Sequence, residues 1–499
     1  MSSQLFKKKP LHVLLEELNG ESRLRRILGP LNLTGLGVGA IIGTGIFVLT
    51  GLGAHIAGPS LMLSLVVSGL ACLFSALCYS EFAAMVPVAG SAYTYAYATL
   101  GELFAWIIGW DLILEYAVAA STVAQGWSHY FQKLFEMVFK TPFPKSFGWP
   151  PLQYNPGTVL TSSGSIFNLP AVVIALVITI ILVKGIRETA NFNTTMVILK
   201  LAVIFLVIGV GIFYINPANW KPFAPHGLVG LTLFGKTLFG QTDASGAPLG
   251  MMAGAALIFF AYIGFDSIST HAEEAKNPRK DVPIAIISSL LICTVLYILV
   301  AGVLTGMVPY DKIDKTAPVA VAFMQVGLGW ANVLITFGAL AGITSVLLVM
   351  MLSQPRIFLA MARDGLLPPK IFGAVHEKYR TPWKSTILTG IFIAILSSVL
   401  PLEILAQLVN IGTLLAFLIV CGSVLVMRKT HPNAERPFKT PFYPFVPIMG
   451  VLLCLVLMLS LPPENWLRLI IWLGIGFIIY FAYSRKHSHL RNEIKENKD

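Results

Sequence analysis

Charge is what this sequence has least of. Only 12% of its 499 residues are Asp, Glu, Lys or Arg, and none stands anywhere from Ile27 to Ser80. A soluble domain carries about twice that share of charge, so one is excluded. With 56% hydrophobic residues, the chain reads as an all-α polytopic membrane protein. Cysteine is also sparse. The five present (Cys72, Cys78, Cys293, Cys421, Cys454) all fall in apolar runs. They are expected to be small buried hydrophobes, which excludes a disulfide or metal framework. His55 and His271 lack a second histidine or cysteine at ligand spacing, so both are expected to be structural, and no metal is expected. The few ionisable residues in apolar runs offer neither a nucleophile with its base nor a metal site, which argues against an enzyme. A secretory signal is missing too: the first apolar run is too long and has no Ala-x-Ala site, so the N-terminus is expected to stay uncleaved.

Glycine is what stands in that uncharged stretch. Seven of the nineteen residues from Gly35 to Gly53 are glycine, and Gly43-Thr44-Gly45 follows Ile41-Ile42 at the centre of a run long enough to cross a bilayer. Continuous helix is unfavourable there, so two half-helices with an unwound joint are expected. Unwound backbone at membrane depth must line a cavity, because its N–H and C=O groups need partners. The first half-helix ends in free carbonyls that suit a cation, and the second begins with amides that suit an anion. Together those charges describe a zwitterionic amino acid.

Eleven further apolar spans follow, at Pro59 to Met85, Gly101 to Tyr130, Leu169 to Val183, Thr189 to Ile215, Gly250 onward, Val282 to Met307, Ala331 to Ala362, Ser385 to Leu400, Ile404 to Met427, Tyr443 to Leu461 and Trp466 to Tyr483. The sixth is interrupted at Phe260-Ala261-Tyr262-Ile263-Gly264-Phe265-Asp266. Interrupted spans at corresponding places in two halves mark a transporter site built from inverted repeats. The expected architecture is therefore twelve transmembrane helices: a five-plus-five inverted-repeat core with spans one and six broken, and two C-terminal helices. The chain divides into a cytoplasmic N-terminal segment (1–32), a first repeat (33–215), an outer loop (216–249), a second repeat (250–428), spans eleven and twelve (443–483) and a cytoplasmic tail (484–499). Lys7, Lys8 and Lys9 precede a short amphipathic run, Leu11 to Leu18, that suits either an anionic membrane face or water. Of the 35 Lys and Arg, 26 fall in segments assigned to the cytoplasm, eight in outer loops and one, Lys200, inside a span. This positive-inside bias places both termini in the cytoplasm and makes a lipid bilayer, not nucleic acid, the partner of the +11 net charge.

Three motifs carry a family resemblance. Gly37-Val38-Gly39-Ala40-Ile41-Ile42-Gly43-Thr44-Gly45-Ile46-Phe47 resembles the first span of the amino acid, polyamine and organocation permease superfamily. Ala261-Tyr262-Ile263-Gly264-Phe265-Asp266 with Glu273-Glu274-Ala275-Lys276-Asn277-Pro278-Arg279, and Leu112-Ile113-Leu114-Glu115-Tyr116, resemble its cationic amino acid transporter branch. The resemblance implies that amides at Gly43, Thr44 and Gly45, with the Thr44 hydroxyl, receive a substrate carboxylate. It implies that carbonyls of Ile41, Phe260 and Ile263 meet the ammonium, and that the Phe260 ring forms a lid.

Lys200 is the sharpest single residue. It lies eight residues past Phe192, about 12 Å into the membrane at 1.5 Å per residue, and an ionisable group there is a functional candidate by default. A lysine taken out of water gives up its proton more readily than one in water. In proton-coupled relatives a fifth-span lysine takes the place of a cation between spans one and eight, and Lys200 matches it; the alternative is a lysine snorkelling to the interface. Asp111 and Glu115 share one face of the third helix. Glu115 is expected to partner Lys200, relay a proton or attract a cationic side chain, or else to be a structural carboxyl. Asp266 is expected to sense protonation or to cap the helix after the break. Arg356, Arg363 and Asp364 read as a basic cytoplasmic cluster rather than a gate.

The leading function is secondary active import of L-amino acids across the plasma or inner membrane, coupled to protons, by alternating access. An amino acid exchanger is the alternative, and a non-transporting amino acid sensor a weaker one. Cationic and small neutral amino acids both remain open as substrates.

Overall fold

The computed structural model describes residues 7–10, 28–86, 91–153, 161–184, 187–233, 236–242, 248–379, 381–461 and 463–490. The amphipathic run Leu11 to Leu18, the loop residues 87–90 and the end of the tail, 491–499, lie outside the described residues. Among those described, eight helical stretches are long and apolar enough to cross a membrane, and three shorter apolar helices accompany them. Many of their side chains would be costly in water: Ile180, Phe205, Ile395 and Ile470 are each more than half exposed. Hydrocarbon around the molecule removes that cost. The chain is a polytopic helical membrane protein.

The first stretch holds α1 (Pro30–Ile41), a π-helical turn (Gly45–Leu49), α2 (Thr50–Ala57) and α3 (Leu61–Met85). Pro30 opens α1 because the first helical residue has no partner for an N–H anyway. Next come α4 (Ala92–Thr99), α5 (Glu102–Phe139), α6 (Leu169–Lys184) and α7 (Arg187–Gly211). Then α8 (Met251–Ile258) runs into a 3-10 turn (Phe259–Tyr262), a break, and one helical turn at Ser267–Thr270. The remaining helices are α9 (Pro278–Met307), α10 (Pro318–Gln325), α11 (Gly329–Arg363), α12 (Trp383–Val399), α13 (Leu402–Thr430), α14 (Phe445–Leu459) and α15 (Pro463–Ile479). Three two-stranded antiparallel hairpins decorate the loops after α5 and α7.

Between the second and third expected spans stands a further helix, Ala92–Thr99, wholly buried. One expectation needs correction here: α5 runs nine residues past Tyr130. Phe135 packs at a tilt against Phe139 and edge-on against Phe143, and Lys133 pairs with Glu136, so the helix has local partners until Lys140 turns left-handed at φ 55°. Around the centre, α1 packs against α7, α9 and α11, while α5 packs against α11 and α13. The broken segments of α1–α2 and α8 lie inside this ring.

Candidate functional site

Both breaks lie side by side, and glycine is what lets them. At Ile42 the backbone leaves α1 in an extended conformation, φ −75° and ψ 103°. At Ile263 it does the same, φ −60° and ψ 133°, followed by Gly264 at φ 122°. A side chain on Gly264 would be strained at that φ, and its Cβ would stand 2.9 Å from the Ala40 carbonyl oxygen. A Cβ on Gly45 would collide with the Ala261 backbone. The two unwound segments therefore touch at main-chain distance.

Their loose carbonyls are satisfied by three side chains. The Tyr297 hydroxyl on α9 bridges both breaks, its one proton shared between the Ile41 oxygen at 2.8 Å and the Ala261 oxygen at 2.9 Å. Asn410 on α13 donates through Nδ2 to Ala256 and Leu257 at the end of α8, at 2.8 and 3.1 Å. Lys200 on α7 is wholly buried. Its Nζ donates to the Gly39 oxygen at 2.5 Å, to the Ile42 oxygen at 2.9 Å and to Ser345 Oγ on α11 at 3.3 Å. All three ammonium donors are used. They sit at the end of α1, where unpaired carbonyls concentrate negative partial charge. The side chain does not snorkel to the interface. Nor does it pair with Glu115; that expectation is corrected, because the α1 carbonyls and Ser345 occupy the ammonium.

Ile41, Thr44, Gly45, Phe260 and Ile263 line one small space between the breaks. Gly43 stands behind it: its carbonyl accepts Ile46 and Phe47 N–H at 3.2 and 3.1 Å and starts the next helix. The Phe260 oxygen already accepts the Ile263 N–H at 3.2 Å, and Ile41 has Tyr297, so each carbonyl has one lone pair left for an ammonium. The Thr44 hydroxyl is buried and has no hydrogen-bond partner among the described residues. The rest of the lining is Ala40, Ala119, Val123, Val346 and Met350, with no charge. At about 10 Å³ the space holds about one water. An amino acid enters only if Phe260 or its neighbours move.

Three carboxyls stand behind this lining. Asp111 and Glu115 are buried and accept no hydrogen bond among the described residues. Asp266 accepts the Tyr116 hydroxyl. The expected capping bond to the following turn is not formed. Glu115 and Asp266 are near enough to repel when both are ionised.

At the end expected to be cytoplasmic, the basic cluster turns out to be a set of built pairs. Arg356 donates to Glu274 at 2.7 Å, and Asp364 takes Lys9 at 2.8 Å and the Tyr93 hydroxyl at 2.6 Å. Burial alone would push the Glu274 carboxyl up, but Arg356, with His271 behind it, holds it below the usual carboxylate range. Leu28 N–H donates to the Glu274 carbonyl and Lys276 N–H to the Leu28 carbonyl, lacing the strand before α1 to this loop. His55 and His271 hydrogen-bond to the Ile313 and Ser267 carbonyls, and all five cysteines are buried free thiols. Sequence reasoning missed Tyr297 and Asn410. Each is a polar tip in an apolar run, a signal that was present but could not be aimed without coordinates.

The sequence profile of the amino acid permease family matches residues 28–482. The chain belongs to this family. Its motifs accordingly place it in the wider amino acid, polyamine and organocation superfamily. The branched-chain amino acid permease BcaP of Bacillus subtilis strain 168 is 47% identical over 98% of this chain and its own full length. The methylthioribose transporter of the same strain is 46% identical over 98% of this chain and 99% of its own. Mouse cationic amino acid transporter 4 is 38% identical over 86% of this permease and 64% of its own length.

Proposed function

We propose that this permease is a proton-coupled symporter of L-amino acids with apolar side chains, working by alternating access in the plasma or inner membrane. Twelve spans, five-plus-five inverted repeats and cytoplasmic termini belong to the same proposal, supported by the breaks five spans apart and the positive-inside bias. The observation that carries it is the placement of Lys200 Nζ on the last carbonyls of α1, next to the unpartnered Thr44 hydroxyl. A protonated Lys200 neutralises the partial negative charge where α1 ends; its neutral form leaves that charge exposed. Proton binding therefore changes the stability of the same unwound joint that receives substrate, which is what coupling requires. Glu115 and Asp266 supply a second place for a proton, since two neighbouring carboxyls avoid being ionised together.

The substrate follows from the lining. Thr44 and the amides after the break take the carboxylate, while the remaining lone pairs of the Ile41, Phe260 and Ile263 carbonyls take the ammonium. Around the side chain stand only apolar groups, so a cationic side chain would lack a countercharge. That favours the branched-chain substrate in the name of one relative over the cationic substrates of another. A methylthioribose substrate offers neither carboxylate nor ammonium to this joint. The test is uptake by proteoliposomes of L-leucine, L-valine, L-alanine, L-arginine and methylthioribose, with and without an inward proton gradient. Gradient-driven accumulation of leucine or valine is expected. Uptake of arginine or methylthioribose alone would overturn the assignment, and uptake that requires preloaded amino acid would make the protein an exchanger.

A further inference from the structure

A second, roomier cavity lies away from the breaks. It lies toward the end expected to face outward, encloses about 360 Å³ and falls in the size range of small-molecule sites, about 300–1,000 Å³. It begins about two turns along from Thr44, at Leu52 on α2, and on α5 it reaches Gln125 and His129, flanking Gly126, whose Cα lies against the Thr44 side chain. Its roof is formed by residues 149–153 and Ser163, with Trp149 over the His129 ring at 5.0 Å. This roof is built rather than draped. Gln132 on α5 donates to the Gly148 carbonyl at 2.6 Å, Ser163 N–H to the Pro151 carbonyl at 2.8 Å, and Ile166 N–H to the Ser146 carbonyl at 2.8 Å.

Two charges of opposite sign line the cavity, Lys315 and Glu403. They are near enough for their charges to interact, yet among the described residues neither is in an ion pair with the other or with any third group. The Lys315 backbone is fixed from beside it: Asp314 Oδ1 accepts the Thr316 and Ala317 N–H groups at 2.8 Å each and the Thr316 hydroxyl at 2.7 Å. Those bonds outweigh burial and hold the Asp314 carboxyl below its usual range, so it needs nothing from Lys315. Glu403 stands in the first turn of α13, where the helix dipole favours a carboxylate. The His129 Nδ1 is buried and unpartnered among the described residues. The cavity thus offers a cation, an anion and an aromatic wall, with neither charge in an ion pair among the described residues.

We propose that this vestibule is a second amino acid site, in which Lys315 binds the carboxylate and Glu403 the ammonium of a zwitterion before it passes to the breaks. The inference rests on the reading that the permease carries amino acids, and adds to it a staging site roofed by residues 149–153 and Ser163. Equilibrium binding of radiolabelled L-leucine to the full chain in nanodiscs tests it by counting sites. Two sites per chain are expected. Lys315→Ala or Glu403→Gln should leave one and raise the uptake KM about fivefold at unchanged maximal rate, the scale of one exposed charge contact. Lys315→Arg should restore the second site, and Thr44→Val should remove the other one. Size-exclusion profiles and a retained maximal rate show that the variants are folded. One site in the native chain, or two sites indifferent to Lys315 and Glu403, would overturn the proposal while leaving transport through the breaks intact. If leucine neither binds nor is carried, the substrate reading fails and this site falls with it.

Discussion

Thr44 shows how a single residue separates binding from folding. Its hydroxyl is buried without a partner in this structure, so removing it costs the folded state nothing in lost hydrogen bonds. In the proposed bound state the same hydroxyl faces the substrate carboxylate, and a hydrogen bond to a charged group contributes about 1.5–3 kcal/mol. Thr44→Val should therefore raise the KM for leucine uptake about tenfold or more while the apparent Tm of the purified permease stays within a degree or two. A parallel fall of Tm and uptake would show a structural role instead. Gly264 is the converse case. At φ 122°, with the Ala40 oxygen 2.9 Å from where a Cβ would sit, an alanine pays strain of about 1–3 kcal/mol and pushes the breaks apart. Gly264→Ala should lower the apparent Tm by several degrees and abolish uptake; normal transport by this variant would mean that the breaks need not touch.

At the scale of elements, the broken helices are held open at one end of the molecule and tied at the other. The loop after the second break is fastened by Glu274, whose charge Arg356 secures at 2.7 Å. Because the folded state lowers the Glu274 carboxyl below its ordinary value, the pair contributes in full above about pH 4.3 and is lost as pH falls through the lowered value. Hydrogen exchange of the amides from Ala272 to Ala275, corrected for intrinsic rate, should stay slow in the native protein from neutral pH down to that region. In Glu274→Gln it should be fast already at pH 7. Fast exchange in the native protein at pH 6 would contradict this fastening. These elements also show what the sequence discloses. Both breaks were legible because glycine, polar residues and interrupted apolar runs leave a local mark. The partners that close them were not: Tyr297 and Asn410 act across more than a hundred residues of chain, and only packing brings them there. Lys200 was legible as a buried charge, but its choice of α1 carbonyls over Glu115 depends on which face of α7 meets α1. The partners of Arg356 and Asp364 were not legible for the same reason, since Glu274 and Lys9 come from distant segments.

For the whole molecule, the two ends are built differently, and the proposed alternating access would exchange one arrangement for the other. Ion pairs and laced backbone close the end bearing Arg356, whereas the end bearing Trp149 retains the cavity, with the nearly filled space at the breaks between them. Exchanging that arrangement for its opposite requires the joint in α1 to rearrange, and Lys200 is the ionisable group placed on it. The most direct measurement is accumulation of radiolabelled L-leucine by proteoliposomes under an inward proton gradient, comparing the native permease with Lys200→Ala, alongside leucine exchange at symmetric pH. The account predicts that the native protein concentrates leucine, and that the variant still exchanges it but no longer responds to the gradient. A variant that concentrates leucine as well as the native protein does would contradict coupling through Lys200.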